Sequence, residues 1–276
     1  MHTQSPETPD KAAQTRRRQP LSVVIITKNA ARQLAACLES AAFADEMLVV
    51  DSGSNDGTAE FAEKHGARVL QKKEWLGFGP QKQFAVEAAR HDWVLCLDAD
   101  ERVSERLRLS ILEALAAPAA QAYAMPRCNR FMGSWLRHGE GYPDWSLRLF
   151  DRRHARWSDD PVHEKVLTDA PAARIEGDLL HDTAESLAGY LDKQNRYTSM
   201  QAEVLFKAGK RAGVAQLLLS PLLRFVKFYF LRLGFLDGTA GLVHIAIGCC
   251  NSFYKYAKLM ALQQSKKPFQ DYRNGP

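Results

Sequence analysis

The chain runs to 276 residues with 46% hydrophobic and 25% charged content, an ordinary globular composition sized for one large core, or a core with a smaller appendage. Its net charge of +5 is modest, and the placement matters more than the size: Arg16-Arg17-Arg18 sits in a polar leader and further Lys and Arg recur through the last third. Five cysteines without a paired CxxC spacing argue against a structural zinc site and for a reducing compartment, and residues 1–19, lacking an apolar signal-type stretch, read as a disordered tail.

In chain order, Leu21-Ser-Val-Val-Ile-Ile-Thr27 is a β-branched run typical of a buried parallel strand. Residues 30–42 follow with helical periodicity, Leu34, Cys37, Leu38 and Ala41 falling on one face. Met47-Leu48-Val49-Val50 is the next strand, cut off by a polar, glycine-bearing loop over 51–58 that leads into a helix to about 65. A short third strand over 67–70, a helix over 80–90 and a fourth strand over 93–97 continue the alternation, which implies right-handed βαβ units and a mostly parallel sheet with flanking helices. A helix is expected over 102–117, short and mainly antiparallel strands over 122–168, and a helix from Leu187 to about Lys207.

Trp93-Val-Leu-Cys-Leu97 stops abruptly at Asp98-Ala99-Asp100-Glu101, which delivers acidic side chains to the carboxyl end of a buried strand, where open α/β sheets bind ligands. Two carboxylates one residue apart at a strand tip suit a divalent cation against a diphosphate. Asp51 ends the second strand at the same sheet edge and suits a base N–H or a ribose hydroxyl; the alternative is loop and helix-cap chemistry, which is the reading preferred for Asp56 and Thr58.

With Ile25-Ile26-Thr27-Lys28-Asn29 and Val50-Asp-Ser-Gly-Ser-Asn-Asp-Gly-Thr58, this pattern resembles the GT-A fold glycosyltransferases of family 2, specifically over residues 21–103 and more loosely to about 185. The resemblance implies a GT-A catalytic domain over 20–185. It also implies a UDP-sugar site involving Thr27, Asn29, Asp51, Lys82 and Asp98, and a divalent metal (Mg or Mn) held by Asp100 and Asp98. Lys82 follows Gly77-Phe78-Gly79-Pro80-Gln81 at a helix start, where flexible backbone and a cation suit a diphosphate; the alternative is an ordinary surface lysine. No third glycine follows Gly77 and Gly79, so a nicotinamide enzyme is disfavoured.

Inverting glycosyl transfer needs a carboxylate to take the acceptor proton. Asp144, in Gly141-Tyr-Pro-Asp-Trp-Ser-Leu-Arg-Leu-Phe150, fits that role, and the stretch resembles a family 2 subgroup, the lipopolysaccharide core β-1,4-glucosyltransferases. Glu140 is the rival base. Trp135, Tyr142 and Trp145 suit either sugar stacking or core packing, with packing preferred. His163, in Val162-His163-Glu164, is the first choice for a further metal ligand, with His181 an alternative; Arg148 is either a phosphate contact or a scaffold partner of a buried carboxylate.

Residues 186–276 read as a helical, amphipathic region for a membrane surface. Within 214–236, Arg224, Lys227 and Arg232 interrupt an apolar run and spread over roughly 140° of a helix, backed by Leu, Phe and Val. Residues 238–254 are uncharged but short for spanning. A helical cover on the catalytic domain or an oligomer interface is the alternative. Vicinal Cys249-Cys250 read as packing residues.

The expected activity is an inverting, metal-dependent transfer, of glucose from UDP-glucose by the resemblance, to a heptose of a lipid-linked core oligosaccharide. It is placed at the cytoplasmic face of a bacterial inner membrane, with the enzyme peripheral. Alternatives are another lipid or polysaccharide acceptor, or a non-catalytic nucleotide-binding membrane scaffold. A processive synthase is disfavoured by the missing Gln-x-x-Arg-Trp motif, and a nucleic-acid partner by Lys and Arg alternating with Leu and Phe.

Overall fold

The computed structural model describes residues 18–160, 164–182 and 186–265. A ten-stranded mixed sheet forms the centre. Its first half is built from β1 (Leu21–Thr27), α1 (Ala31–Ala41), β2 (Glu46–Asp51), α2 (Thr58–Lys64), β3 (Arg68–Gln71), α3 (Phe78–Ala88) and β4 (Trp93–Asp98). All seven residues of β1 are buried because the strand lies inside the sheet, paired in parallel with β2 on one side and β4 on the other, with helices on both faces. Leu34 and Leu38 of α1 pack on one face; Ala85 and Val86 of α3 pack on the other.

After β4 come β5 (Glu101–Val103), α4 (Glu105–Ala116), β6 (Ala122–Phe131), β7 (Ser134–Trp135), β8 (Asp144–Asp151), β9 (Ala155–Trp157), β10 (Val166–Thr168), β11 (Ala173–Arg174) and β12 (Leu179–His181). The main sheet runs β3-β2-β1-β4-β8-β6-β12-β5. Since β8 runs antiparallel to β4, its first residue, Asp144, starts at the edge where β4 ends in Asp98. Asp144 and Arg127 are cross-strand partners on β8 and β6. The helix expected over 102–117 begins at Glu105 instead. Residues 101–103 form a strand against β12, burying Glu101 and Val103, and Ser104 caps α4 by accepting from the Leu107 N–H at 3.3 Å.

The C-terminal part comprises α5 (Leu187–Lys207), α6 (Val214–Phe225), a π-helical turn over Val226–Leu231, a 3-10 turn over Gly234–Asp237 and α7 (Gly238–Gln264). The single helix read over 214–236 is thus a broken one; Leu233 turns the chain at φ 56°. Ala202 of α5 packs on Leu259 and Leu262 of α7, and Ser220 of α6 meets Ser252 of α7 at 2.7 Å. These helices clasp the loop before β8. Asp237 accepts from the backbone N–H groups of Arg137 and His138 at 3.0 and 2.9 Å, and Arg224 pairs with Glu140 through Nε at 2.9 Å. Gly248 makes the second contact possible, because a Cβ there would stand 2.3 Å from Glu140 Oε2.

The basic stripe faces outward only in part: Lys227 and Arg232 are exposed, while Arg224 turns in toward the body. Arg224 holds Glu140, and Arg232 donates to the Tyr142 carbonyl at 3.0 Å. Lys227 stays exposed beside the Phe228 ring. The apolar side is what faces out. Val214–Leu231 is long and apolar enough to cross a membrane by length and composition, yet none of it is buried, and Leu231 is 75% exposed.

Candidate active site

The carboxyl edge of β1, β2 and β4 opens into a cleft of about 680 Å³ lined by Thr27, Lys82, Asp98, Asp100, Glu164 and His181, among others. Asp98 and Asp51 sit opposite Ile26 and Thr27 of the intervening strand, so both end at this edge. Their side chains do different things. Asp51 is fully buried and binds its own loop, accepting from Gly53 N at 3.1 Å, from Ser54 N at 2.9 Å and from the Ser54 hydroxyl. Asn29, at φ 52°, joins the same loop: it donates from its backbone to Ser54 Oγ and accepts from Asn55 N at 3.0 Å. Neither lines the cleft. Thr27 does, and its Oγ1 is buried with no hydrogen-bond partner among the described residues.

Lys82 is no surface lysine. It is 4% exposed, lies over the Trp157 ring at 4.8 Å, and bridges Asp98 at 3.1 Å and Glu164 at 3.0 Å. Gly79 lets α3 approach this closely, since a Cβ there would lie 2.2 Å from the Ser158 carbonyl oxygen. Arg148 is equally buried and reaches Asp98 at 2.9 Å and Glu101 at 2.8 Å. Burial of Asp98 in the cleft wall opposes ionisation, but the Arg148 and Lys82 charges outweigh it and hold its carboxyl far below the usual range. Burial likewise opposes the Arg148 charge, and Glu101 with Asp98 overcomes that and fixes the guanidinium protonated.

Glu101 has no exposed surface. It accepts from the Asp98 backbone N–H at 2.9 Å and lies 3.7 Å from Arg127. Arg127 then donates to Asp144 from Nε and Nη2, at 2.9 and 2.7 Å. Both bonds land on Oδ2; Oδ1 of Asp144 takes none among the described residues. The side chain is 40% exposed and lines a second, polar cavity of about 420 Å³ between β6, β8 and the C-terminal helices. An alternating chain of charge, Lys82–Asp98–Arg148–Glu101–Arg127–Asp144, thus links the two cavities. Glu140, the rival base, is committed to Arg224.

Asp100 faces the first cleft with His181 Nε2 at 3.3 Å from its Oδ2. His181 Nδ1 lies 2.7 Å from Asn129 Oδ1, a contact that fixes the ring's orientation beside Asp100. A carboxylate with an imidazole beside it is a donor set that fits a divalent cation. Among the described residues no group of three or more His, Cys, Asp or Glu side chains forms a metal cage. His163 lies outside the described residues. Sequence reasoning missed Arg127 altogether and, while it included Glu101 in the acidic strand end, gave that residue no role of its own. The only signal for Glu101 was its place beside Asp100, obscured by reading 102–117 as one helix.

Residues 22–171 match the family description Glycosyl transferase family 2. The chain belongs to that family. The lipopolysaccharide core biosynthesis glycosyltransferase LpsC of Rhizobium meliloti is 30% identical over 247 residues, 87% of this chain and 92% of that protein. An uncharacterized glycosyltransferase of Rickettsia felis is 31% identical over 87% of this chain and 89% of its own length. Among solved structures, the mannosyltransferase PcManGT of Pyrobaculum calidifontis, in complex with GDP-Man and Mn2+, is 17% identical, covers 89% of this chain and 87% of its own, and has a TM-score of 0.48. The mixed sheet with flanking helices of this family 2 glycosyltransferase is the arrangement that the GT-A resemblance implied.

Proposed function

We propose that this glycosyltransferase moves a sugar, glucose from UDP-glucose, onto a heptose of a lipid-linked core oligosaccharide in lipopolysaccharide biosynthesis, with inversion, at the cytoplasmic face of the inner membrane. The observation that carries the chemistry is the half-occupied Asp144 carboxylate: its Oδ1 takes no hydrogen bond among the described residues, and its side chain lines a polar cavity one ion-pair chain away from the Asp98–Asp100 cleft. The likeness to LpsC supports the acceptor class.

In this reading the diphosphate enters the first cleft, where Lys82 meets its charge and the Thr27 hydroxyl gains the partner it lacks. Asp98 and Asp51 hold the nucleoside side, Asp98 directly and Asp51 through the loop it shapes together with Asn29. Asp100, with His181 beside it, would hold a divalent cation, which when bound would neutralise charge on the departing diphosphate. The acceptor hydroxyl attacks the anomeric carbon as the bond from that carbon to the distal phosphate oxygen breaks. The proton passes to Asp144 Oδ1, and the nucleoside diphosphate leaves as an anion. Arg127 orients the carboxylate through Oδ2 and leaves the accepting oxygen unblocked.

The test is transfer from a panel of nucleotide-sugars with and without manganese. UDP-glucose should be preferred and chelation should stop transfer; activity indifferent to chelation would remove the metal. Asp144→Asn should lower transfer by about 10²- to 10⁴-fold while UDP binding persists, as expected for loss of a general base. Near-normal transfer by that variant would remove Asp144 from the role.

A further inference from the structure

The 420 Å³ polar cavity does not end at Asp144. On the helical side Gln194, Tyr197 and Gln201 of α5 and Asn251 and Lys255 of α7 line it. Amides, a phenol and a cation are the groups that recognise sugar hydroxyls and an anionic substituent. The carboxylates on its wall are already matched: Asp144 by Arg127 and Glu140 by Arg224. Lys255 lies 4.5 Å over the Tyr256 ring and has no carboxylate partner among the described residues. The cavity's unmatched charge is therefore positive.

Tyr197, Gln201 and Lys255 also line a second space, of about 540 Å³, which continues the first along α5. Its remaining walls are Met200, Val204 and Leu205. Val204 is 66% exposed and Met200 45%, so among the described residues nothing covers the apolar surface of this groove. From Gln194 to Val204 the two spaces follow about 15 Å of helix, at about 1.5 Å per residue. Polar head space, a cation at the junction and an apolar channel occur in that order, starting from Asp144.

We infer that the polar cavity and the apolar groove are one acceptor site for a single phosphate-bearing glycolipid. Its saccharide lies against Asp144, its phosphate beside Lys255 and an alkyl chain along Met200 and Val204. The inference rests on the glycosyltransferase reading above and names the part of the acceptor that reading leaves open. A free oligosaccharide would fill only the upper half of the site. An alkyl chain alone would strand Lys255 and the amides.

The test measures equilibrium binding to the full chain without donor, so that it is readable whatever the transfer assay gives. Probes are a lipid A-linked heptose core presented in nanodiscs, the same core released from its lipid, and a dephosphorylated form of each. The lipid-linked core should bind at least tenfold more tightly than the released one. Val204→Arg, at an exposed position, should abolish that advantage while leaving affinity for the released core within twofold. Lys255→Gln should weaken the phosphorylated forms at least fivefold and the dephosphorylated forms hardly at all. Unchanged melting temperature and UDP affinity show that each variant is folded. A Val204→Arg variant that binds the lipid-linked core normally, or loses both forms equally, overturns the site, as does a Lys255→Gln variant blind to phosphate. Wild-type binding with this variant pattern but no transfer from any nucleotide-sugar would overturn the catalytic reading and leave the acceptor site standing.

Discussion

Glu101 is the residue on which the electrostatics of this molecule turn. Without solvent, it receives two arginines and a backbone N–H, and so joins the wall of one cleft to the carboxylate of the next cavity. A buried charge whose partner is removed is left uncompensated, which typically costs about 3–5 kcal/mol. Arg148→Met should therefore lower unfolding stability in urea by about that amount, and Arg148→Met with Glu101→Gln should lose less than the sum of the two single changes. Asp98 gives a pH signature. Its carboxyl is held far below the usual range in the folded state, so its stabilisation is complete above an ordinary aspartate value near about 4 and is lost as pH falls toward the depressed value. The stability gap between wild type and Asp98→Asn, followed by urea midpoint, should stay level from neutral pH to about 5 and narrow below about 4. A gap that stays constant into strong acid would show that Asp98 is not ion-paired in solution.

At the scale of elements, what was legible in the sequence was whatever local pattern determines. The β-branched run of β1 and the apolar run of β4 ending in Asp98 announce buried strands, and Leu34, Cys37 and Leu38 announce the face of α1 that is in fact buried. The short strand β5 was not legible, because three residues beside a helix start carry no period of their own and are fixed only by distant pairing with β12, Val103 opposite Leu179 and Glu101 opposite His181. The site was half legible for the same reason. Asp98, Asp100 and Asp144 stand at pattern breaks, whereas Arg127 is recognisable only once β6 and β8 are in register. The inward turn of Arg224 was hidden likewise: a helical wheel shows a basic face, but not that Glu140 comes to meet it. That clasp depends on Gly248. Gly248→Val should push Glu140 from Arg224 and raise amide hydrogen exchange over residues 137–143 at least tenfold, with little change in β1 and β4. Equal protection in both proteins would show that the clasp does not order the loop.

At the scale of the whole molecule, two surfaces meet: a polar, cleft-bearing α/β body and a helical flank whose leucines and phenylalanines point outward. Leu222, Leu223 and Leu231 are each more than half exposed, and the neighbouring arginines are engaged with the body. We expect the flank to bind lipid chiefly by apolar insertion. Co-sedimentation with vesicles containing anionic phospholipid should fall at least tenfold for the Leu222→Glu, Leu223→Glu, Leu231→Glu triple variant. For wild type it should survive raising the salt from 0.1 to 0.5 M, as a charge-driven association would not. The outward leucines have one more consequence. Because they touch so little of the protein, they add almost nothing to folding, so the triple variant should melt where wild type does. Folding and solubility should then be separable properties of this chain: in plain buffer self-association through this ridge should set its upper working concentration, and a mild detergent, or those three glutamates, should raise that limit without altering the fold.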